Sequence, residues 1–401
     1  MMNNGQKAKI LLMAVLTLLL WSSCSSDVIT EDKVAQVPIS FCPVTTKLTR
    51  GDTKPAEADF FLEDYHQTFA VYGTKKSQVD GEVSYVFGDN ATAITETSKY
   101  DGVTCTFEEA GTQLTGQWTY APARFWDTQA DYRFIAYAPA AAPIRYVYGK
   151  AGDETAVTGY RFLSTAPYTI LGQNLQANPS KKEQKVGFTG VGAGKDIDIM
   201  ISDAQSVNGA TRQRESTVDL IFHHTLSKLN VKLDVETAEP ADTDSVAGYR
   251  VEVSDVRIDS LYSQGSFDTG SWTVNDSTAT SPLVSYVFAT EKPGVKLDTE
   301  DTYFIESLVM PQDIAANQKV TLVYTITSID ENKNEHAEKY TYVTTLADIF
   351  AITATKPIAT EFQENSNYTI SFHLNPENNV IQFDAGVAEW AQNLGNNTNI
   401  D

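Results

Sequence analysis

Apolar and polar positions alternate with a period of two over most of the chain. The pattern is clear in residues 68–73 (TFAVYG), 132–139 (YRFIAYAP), 196–202 (DIDIMIS), 218–235 (VDLIFHHTLSKLNVKLDV), 249–258 (YRVEVSDVRI), 320–329 (VTLVYTITSI) and 368–374 (YTISFHL). Such spacing sends successive side chains to opposite faces of an extended chain, and the Gly, Asn, Asp and Pro residues between these runs mark turns. Helical periodicity is confined to residues 345–351, where one short helix is predicted. Many short strands separated by turns predict an all-β protein of antiparallel sandwiches. The polar stretch 206–216 (SVNGATRQRES) divides two strand-rich parts of similar size. The expectation is therefore two tandem sandwich domains of about seven strands each, over residues 51–210 and 211–401.

The N-terminus breaks this pattern. Lys7 and Lys9 precede the apolar run 10–21, which is too short for a stable membrane span and reads as a signal peptide over residues 1–23. Ser22, Ser23 and Cys24 follow in the manner of a bacterial lipobox, although Trp21 takes the place usually given to an aliphatic residue. Cys24 is thus the expected lipidation site and residues 24–50 an N-terminal propeptide. An ordinary cleaved signal with an incidental cysteine is the alternative. No later segment holds the roughly 18 apolar residues a membrane helix needs, so the expected protein is anchored to a membrane without crossing it.

Composition narrows the function. A 401-residue chain with 42% apolar and 20% charged residues is globular. Its formal net charge of -22 argues against a nucleic-acid partner, which requires a basic surface. Cys42 and Cys105 form no disulfide framework, and a single bridge between them stays open. The glycine cluster 189–196 (TGVGAGKD) fails as a phosphate loop, because Thr189 stands at the first glycine position and Asp196 replaces the magnesium-holding hydroxyl. His223 and His224 point to opposite faces of a strand and cannot share a metal ion. No G-x-S-x-G elbow occurs, and acidic pairs such as Glu63–Asp64 and Glu108–Glu109 are commonplace in so acidic a chain. No enzyme, metal or cofactor is expected. The aromatic stretch 116–126 (GQWTYAPARFW) reads either as packing or as a sugar-stacking platform. On the second reading, a surface glycan-binding lipoprotein that never polymerises would use Trp118, Tyr120 or Trp126.

Taken in order, these motifs resemble the fimbrillin family of Bacteroidia. The series is the lipobox, an I-x-F strand followed by Thr-Arg, F-x-V-Y, W-x-Y-x-P-x-R-F-W with F-I-A-Y-A-P, K-D-I-D-I-M-I-S, V-D-L-I-F-H-H-T-L-S-K-L, and finally Y-T-I-S-F-H-L with N-V-I-Q-F-D-A-G-V-A-E-W. The resemblance implies a structural or adhesive subunit of a type V pilus with two transthyretin-like β-sandwich domains. It implies export to the outer membrane as a lipoprotein acylated (palmitate) at Cys24. It further implies cutting by an arginine-specific protease at Arg50–Gly51, and assembly with other pilus subunits, whether copies of itself or tip and anchor pilins, into a cell-surface fimbrium. The excised first strand is then residues 37–44.

Strand exchange has a physical basis in these residues. Removing a strand from a sandwich exposes unpaired backbone groups and a row of apolar pockets. Val37, Ile39, Phe41 and Val44 are the apolar residues of the displaced segment, while Pro38 and Pro43 weaken its pairing. Near the C-terminus, Ile381, Phe383, Ala385 and Val387 present the same I-x-F start on a longer alternating face. Residues 380–390 are therefore either a donor strand for another subunit or the last strand of their own domain. Arg50 is the first arginine of the chain and Arg124 the next.

Overall fold

The computed structural model describes residues 37–44, 68–88, 102–109, 116–142, 144–148, 160–164, 168–169, 198–212, 217–235, 248–268, 271–274, 283–289, 295–297, 302–351 and 358–389. Its secondary structure is almost entirely strand, as period-two patterning requires. The first part of the chain supplies β1 (Ser40–Val44), β2 (Thr68–Ser77), β3 (Val83–Phe87), β4 (Val103–Glu109), β5 (Gly116–Thr119) and β6 (Ala130–Ala138). It continues with β7 (Ile144–Tyr148), β8 (Tyr160–Ser164), β9 (Tyr168–Thr169), β10 (Met200–Ser202), β11 (Gln205–Asn208) and β12 (Thr217–His224). Nine of these strands form one sheet in the order β1-β12-β10-β6-β2-β4-β5, with β11 paired to β6 and β3 to β2. Its buried face carries Phe69, Phe134, Leu220 and Phe222, each at most 1% exposed.

The second part begins with β13 (Ser227–Val235) and β14 (Gly248–Tyr262). It ends with β21 (Lys319–Ile329), β22 (Glu335–Thr345), the short helix α1 (Leu346–Phe350), β24 (Ser366–Asn375) and β25 (Val380–Glu389). Between them lie β15 (Gln264–Asp268), β16 (Ser271–Val274), β17 (Leu283–Ala289), β18 (Val295–Lys296), β19 (Thr302–Val309), β20 (Gln312–Asp313) and β23 (Glu361–Phe362, after α1). Two sheets, β19-β13-β24-β25 and β17-β14-β21-β22, enclose a core of Leu229, Val231, Val253, Leu322, Ile370 and Phe372. The helix expected near residue 345 is present. Thr345 caps it by accepting the Asp348 N–H on its side-chain oxygen, and Leu346, Ile349 and Phe350 are buried.

The run 218–235, continuous in its hydrophobic pattern, is divided between two sheets. β12 ends at His224, the Thr225 N–H donates back to the Ile199 carbonyl at 2.9 Å, and β13 starts at Ser227 beside β24. β12 lies beyond the boundary expected at residue 210, yet it pairs with β10 and β1 of the first sheet. Likewise β15 pairs with β8 and β9 from before that position. Backbone ladders thus cross the polar stretch 206–216, part of which is β11 and a 3-10 turn at Gly209–Arg212. Gly209 is seated so closely on the Asp127 carbonyl that a Cβ there would lie 2.0 Å from it.

Candidate functional site

β1 lies at one end of the nine-stranded order and, among the described residues, makes its one strand ladder with β12, in parallel, from Ser40↔Thr217 to Val44↔Ile221. Ile39 and Phe41 are 2% and 3% exposed, and Pro43 is buried in the same alternation. The Phe41 ring sits among Phe134 at 5.2 Å, Phe87 at 5.8 Å and Tyr120 at 5.8 Å between centroids. The contacts with Phe134 and Phe87 are edge-to-face and that with Tyr120 is tilted, and an edge-to-face pair adds about 0.5–1.5 kcal/mol beyond area burial. Val37 is half-buried, and Val44 closes the ladder opposite Ile221, its side chain lying outside the described residues. Counting by two from Ile39 reaches Pro43 rather than Val44.

The side of β1 away from β12 is not open at its N-terminal end. The chain leaving β5, at the opposite end of the sheet order, returns to meet it. The Ile39 N–H donates to the Arg124 carbonyl at 2.8 Å, the Tyr120 hydroxyl donates to the Ile39 carbonyl at 2.8 Å, and Pro38 bridges Phe125. The Arg124 N–H in turn donates to the Tyr120 hydroxyl at 3.3 Å. Burial pushes the pKa of Tyr120 up, which keeps the phenol protonated as a donor. β1 therefore lies in a slot, with β12 as one wall, residues 120–125 as the other, and Phe87 and Phe134 beneath.

This use of residues 116–126 bears on the sugar-platform reading. Trp126 is 7% exposed and packs edge-on against Tyr132 at 4.8 Å, Trp118 is half-buried against Phe69 at 4.7 Å, and Tyr120 faces Phe41. The motif W-x-Y-x-P-x-R-F-W thus builds the slot wall, a role that its aromatic content alone does not reveal. No disulfide joins Cys42, on β1, to the buried Cys105 on β4. Cys24, Arg50 and Gly51 lie outside the described residues.

The second candidate segment, Ile381 to Val387, belongs to β25. This strand pairs antiparallel with β24 along its whole length, from Ser366↔Glu389 to Asn375↔Val380, and is the end strand of its sheet. Ile381, Phe383 and Ala385 are half-buried over the core, while Val387 is 40% and Val380 43% exposed. β25 is held at its start by the Tyr324 hydroxyl, which donates to the Asn379 side-chain oxygen at 2.8 Å.

Between these strands, His373 of β24 bridges Asp234 of β13, at 2.8 Å through Nδ1, and Asp384 of β25, at 3.4 Å through Nε2. Burial alone would lower its pKa, but the hydrogen bond and charge of Asp234, with Asp384 adding to them, raise it above the ordinary value. A raised folded-state pKa contributes stability that is complete below the unfolded value of about 6.5 and is lost as pH rises through the higher folded value. Raising pH from about 6 to 8 is therefore expected to loosen β25, seen as faster amide exchange in residues 380–389. His373→Gln should flatten that dependence, with a stability change of about 1 kcal/mol or less. Exchange that is independent of pH after correction for intrinsic rates would refute the bridge.

Among the described residues, no group of His, Cys, Asp and Glu is arranged to hold a metal ion, and no helix is long and apolar enough to cross a membrane.

Comparison with known proteins places this architecture. Solved structures of Bacteroides proteins match over most of the chain, one of them with a TM-score above 0.5. A fimbrial protein from Bacteroides vulgatus matches with a TM-score of 0.54 at 12% identity, covering 88% of this chain and 100% of its own. A candidate cell adhesion protein from Bacteroides uniformis matches at 14% identity and a TM-score of 0.39, covering 90% and 100%. A second, from Bacteroides ovatus, matches at 15% identity and a TM-score of 0.41, covering 89% and 99%. At 12% identity the likeness to the Bacteroides vulgatus protein concerns the fold. No curated protein matches the chain. The model of the fimbrillin-like family, in contrast, matches residues 70–390, most of the sequence, with both walls of the slot and β25 inside the match. The chain belongs to the fimbrillin-like family.

Proposed function

We propose that this protein is a non-enzymatic, adhesive pilus subunit, exported as a lipoprotein on Cys24 and cut after Arg50, whose β1 holds a place for a strand of another subunit. The observation that carries this reading is β1 itself: an end strand, laddered among the described residues to β12 alone, with Ile39 and Phe41 filling an aromatic slot. Family membership and the fimbrial neighbour support the pilus role.

The energetics favour release on cutting. Burying Ile39 and Phe41 stabilises the slot by about 1.5–3 kcal/mol each, and Pro38 and Pro43 have no N–H to add. While β1 is covalently tethered, it refills the slot at an effective concentration on the order of millimolar. Cutting between Arg50 and Gly51 removes that advantage, worth roughly 4 kcal/mol at 1 mM, while the contacts of Ile39 and Phe41 stay as they are. A replacement strand without proline then has the advantage. Val380–Glu389 contains none and repeats the I-x-F start. Its delivery requires β25 to exchange its ladder with β24 for one with β12 of the next subunit, a heterologous contact that extends into a filament.

The test is treatment of the purified precursor with an arginine-specific protease. The expected result is a product starting at Gly51 that forms SDS-resistant ladders. Surface fibres whose subunits start at an acylated Cys24 would refute it.

A further inference from the structure

We infer that residues 120–125 form a clamp that grips, through its main chain, the strand occupying the β1 slot, and that this clamp acts with the aromatic pocket of Phe41 to hold an incoming strand from a second copy of the chain in register. The inference rests on the strand-replacement reading above and adds to it a positioning element.

Both backbone polar groups of a single residue, Ile39, are taken by this loop: its N–H by the Arg124 carbonyl and its C=O by the Tyr120 hydroxyl, each at 2.8 Å. The next residues, from Ser40 onward, ladder instead to β12. The loop and β12 therefore read different parts of the same strand, the loop at one residue and β12 along the remainder. Slippage by one residue would put an apolar side chain on the wrong face, and slippage by two would keep the faces but move Phe41 out of its ring pocket. The clamp alone accepts any residue that carries an N–H, so it is the clamp and the pocket together that resist both, by requiring a ring two residues beyond the gripped position. Proline on either side is tolerated, since Pro38 only bridges Phe125 and Pro43 lies beyond the clamp.

Parallel alignment with β12 follows for the newcomer. An I-x-F strand fills the Ile39 and Phe41 positions in the same order only if it runs in the same direction as β1. In β25 that assigns Ile381 to the clamp and Phe383 to the pocket of Phe87, Tyr120 and Phe134, with Ala385 at the Pro43 position. The hydroxyl of Tyr120 is separable from its ring. The ring packs on Phe87 at 5.2 Å and on Phe41, so Tyr120→Phe keeps the packing and removes the hydroxyl's bonds to the Ile39 carbonyl and to the Arg124 N–H.

The experiment uses the full chain cut after Arg50, with fluorescently labelled synthetic peptides of residues 37–44 and 379–389 displacing the severed strand. N-methylation of the peptide residue at the clamp, Ile39 or Ile381, should weaken uptake about tenfold. Tyr120→Phe should weaken uptake of both unmodified peptides by a similar factor, while N-methylation of Ser40 or Gln382 should give a different pattern that Tyr120→Phe does not alter. Uptake unchanged by both modifications at the clamp would overturn the inference. Failure of strand replacement itself reads out separately: the cut wild-type protein would take up neither unmodified peptide, whereas Tyr120→Phe would still speed exchange of the Ile39 amide in the uncut chain. That outcome would confine the clamp to β1 and also overturn its role in subunit register.

Discussion

Phe41→Ala is expected to lower the unfolding free energy of the full-length chain by about 3–5 kcal/mol. Phe41 is 3% exposed and touches three rings that have no other means of closing around a methyl group. Phe134 and Phe87 are fixed in the strands β6 and β3, so collapse of the site is limited and the cavity cost stays near the upper end of the range. The informative comparison is between cut and uncut protein. If β1 leaves after cutting at Arg50, wild type and Phe41→Ala give the same covalent product, and their denaturation curves must coincide. Urea unfolding of the four samples checks this. A difference that persists after cutting and exchange would show β1 still in place, and a cost below about 1 kcal/mol in the uncut chain would show the slot to be malleable.

Much of this was legible in the sequence, for a physical reason. A strand that covers a core must alternate, so the runs at 68–73, 132–139, 320–329 and 368–374 mapped directly onto β2, β6, β21 and β24. The segment 37–44 was legible by the same rule, as was the alternation in Ile381 to Val387. What alternation cannot carry is partnership. Nothing local ties Ser40 to Thr217, a pairing that spans 177 positions, and nothing in a continuous apolar run such as 218–235 marks the change of sheet after His224. The break there is made by long-range bonds, from Thr225 to Ile199 and from Asn365 to the Leu226 carbonyl. The slot wall is the other case. W-x-Y-x-P-x-R-F-W displays its rings, but its effect on β1 runs through the Arg124 carbonyl and one phenol hydroxyl, and a backbone carbonyl has no sequence signature.

The stitching at His224 leads to the second large expected effect. His224 Nδ1 and Asp198 Oδ2 lie 2.8 Å apart, with side chains only 3% and 6% exposed. Asp198 precedes β10, His224 ends β12, and Met200 pairs with His224 in the ladder between them. Removing one member of such a pair strands the other without water, so Asp198→Ala is expected to cost about 3–5 kcal/mol. Its neighbour His223 gives the contrast: it points to the opposite face, its side chain is 40% exposed beside Asp203, and Asp203→Ala should cost less than about 1 kcal/mol. The cost of Asp198→Ala does not measure the net worth of the pair, because both groups were desolvated on folding. A double replacement by apolar residues of similar volume, Asp198→Leu with His224→Phe, is therefore expected to recover much of the loss. The double-mutant cycle built from Asp198→Leu, His224→Phe and the pair, read by urea unfolding, then returns a coupling at least as large as either single-variant cost. If both single variants are mild, the site admits water. If the double variant is as unstable as the singles combined, the polar pair is required to pass the chain from the first sheet to β13, where the His224 N–H donates to the Asn365 side chain and the Ser227 hydroxyl to the Gln363 carbonyl.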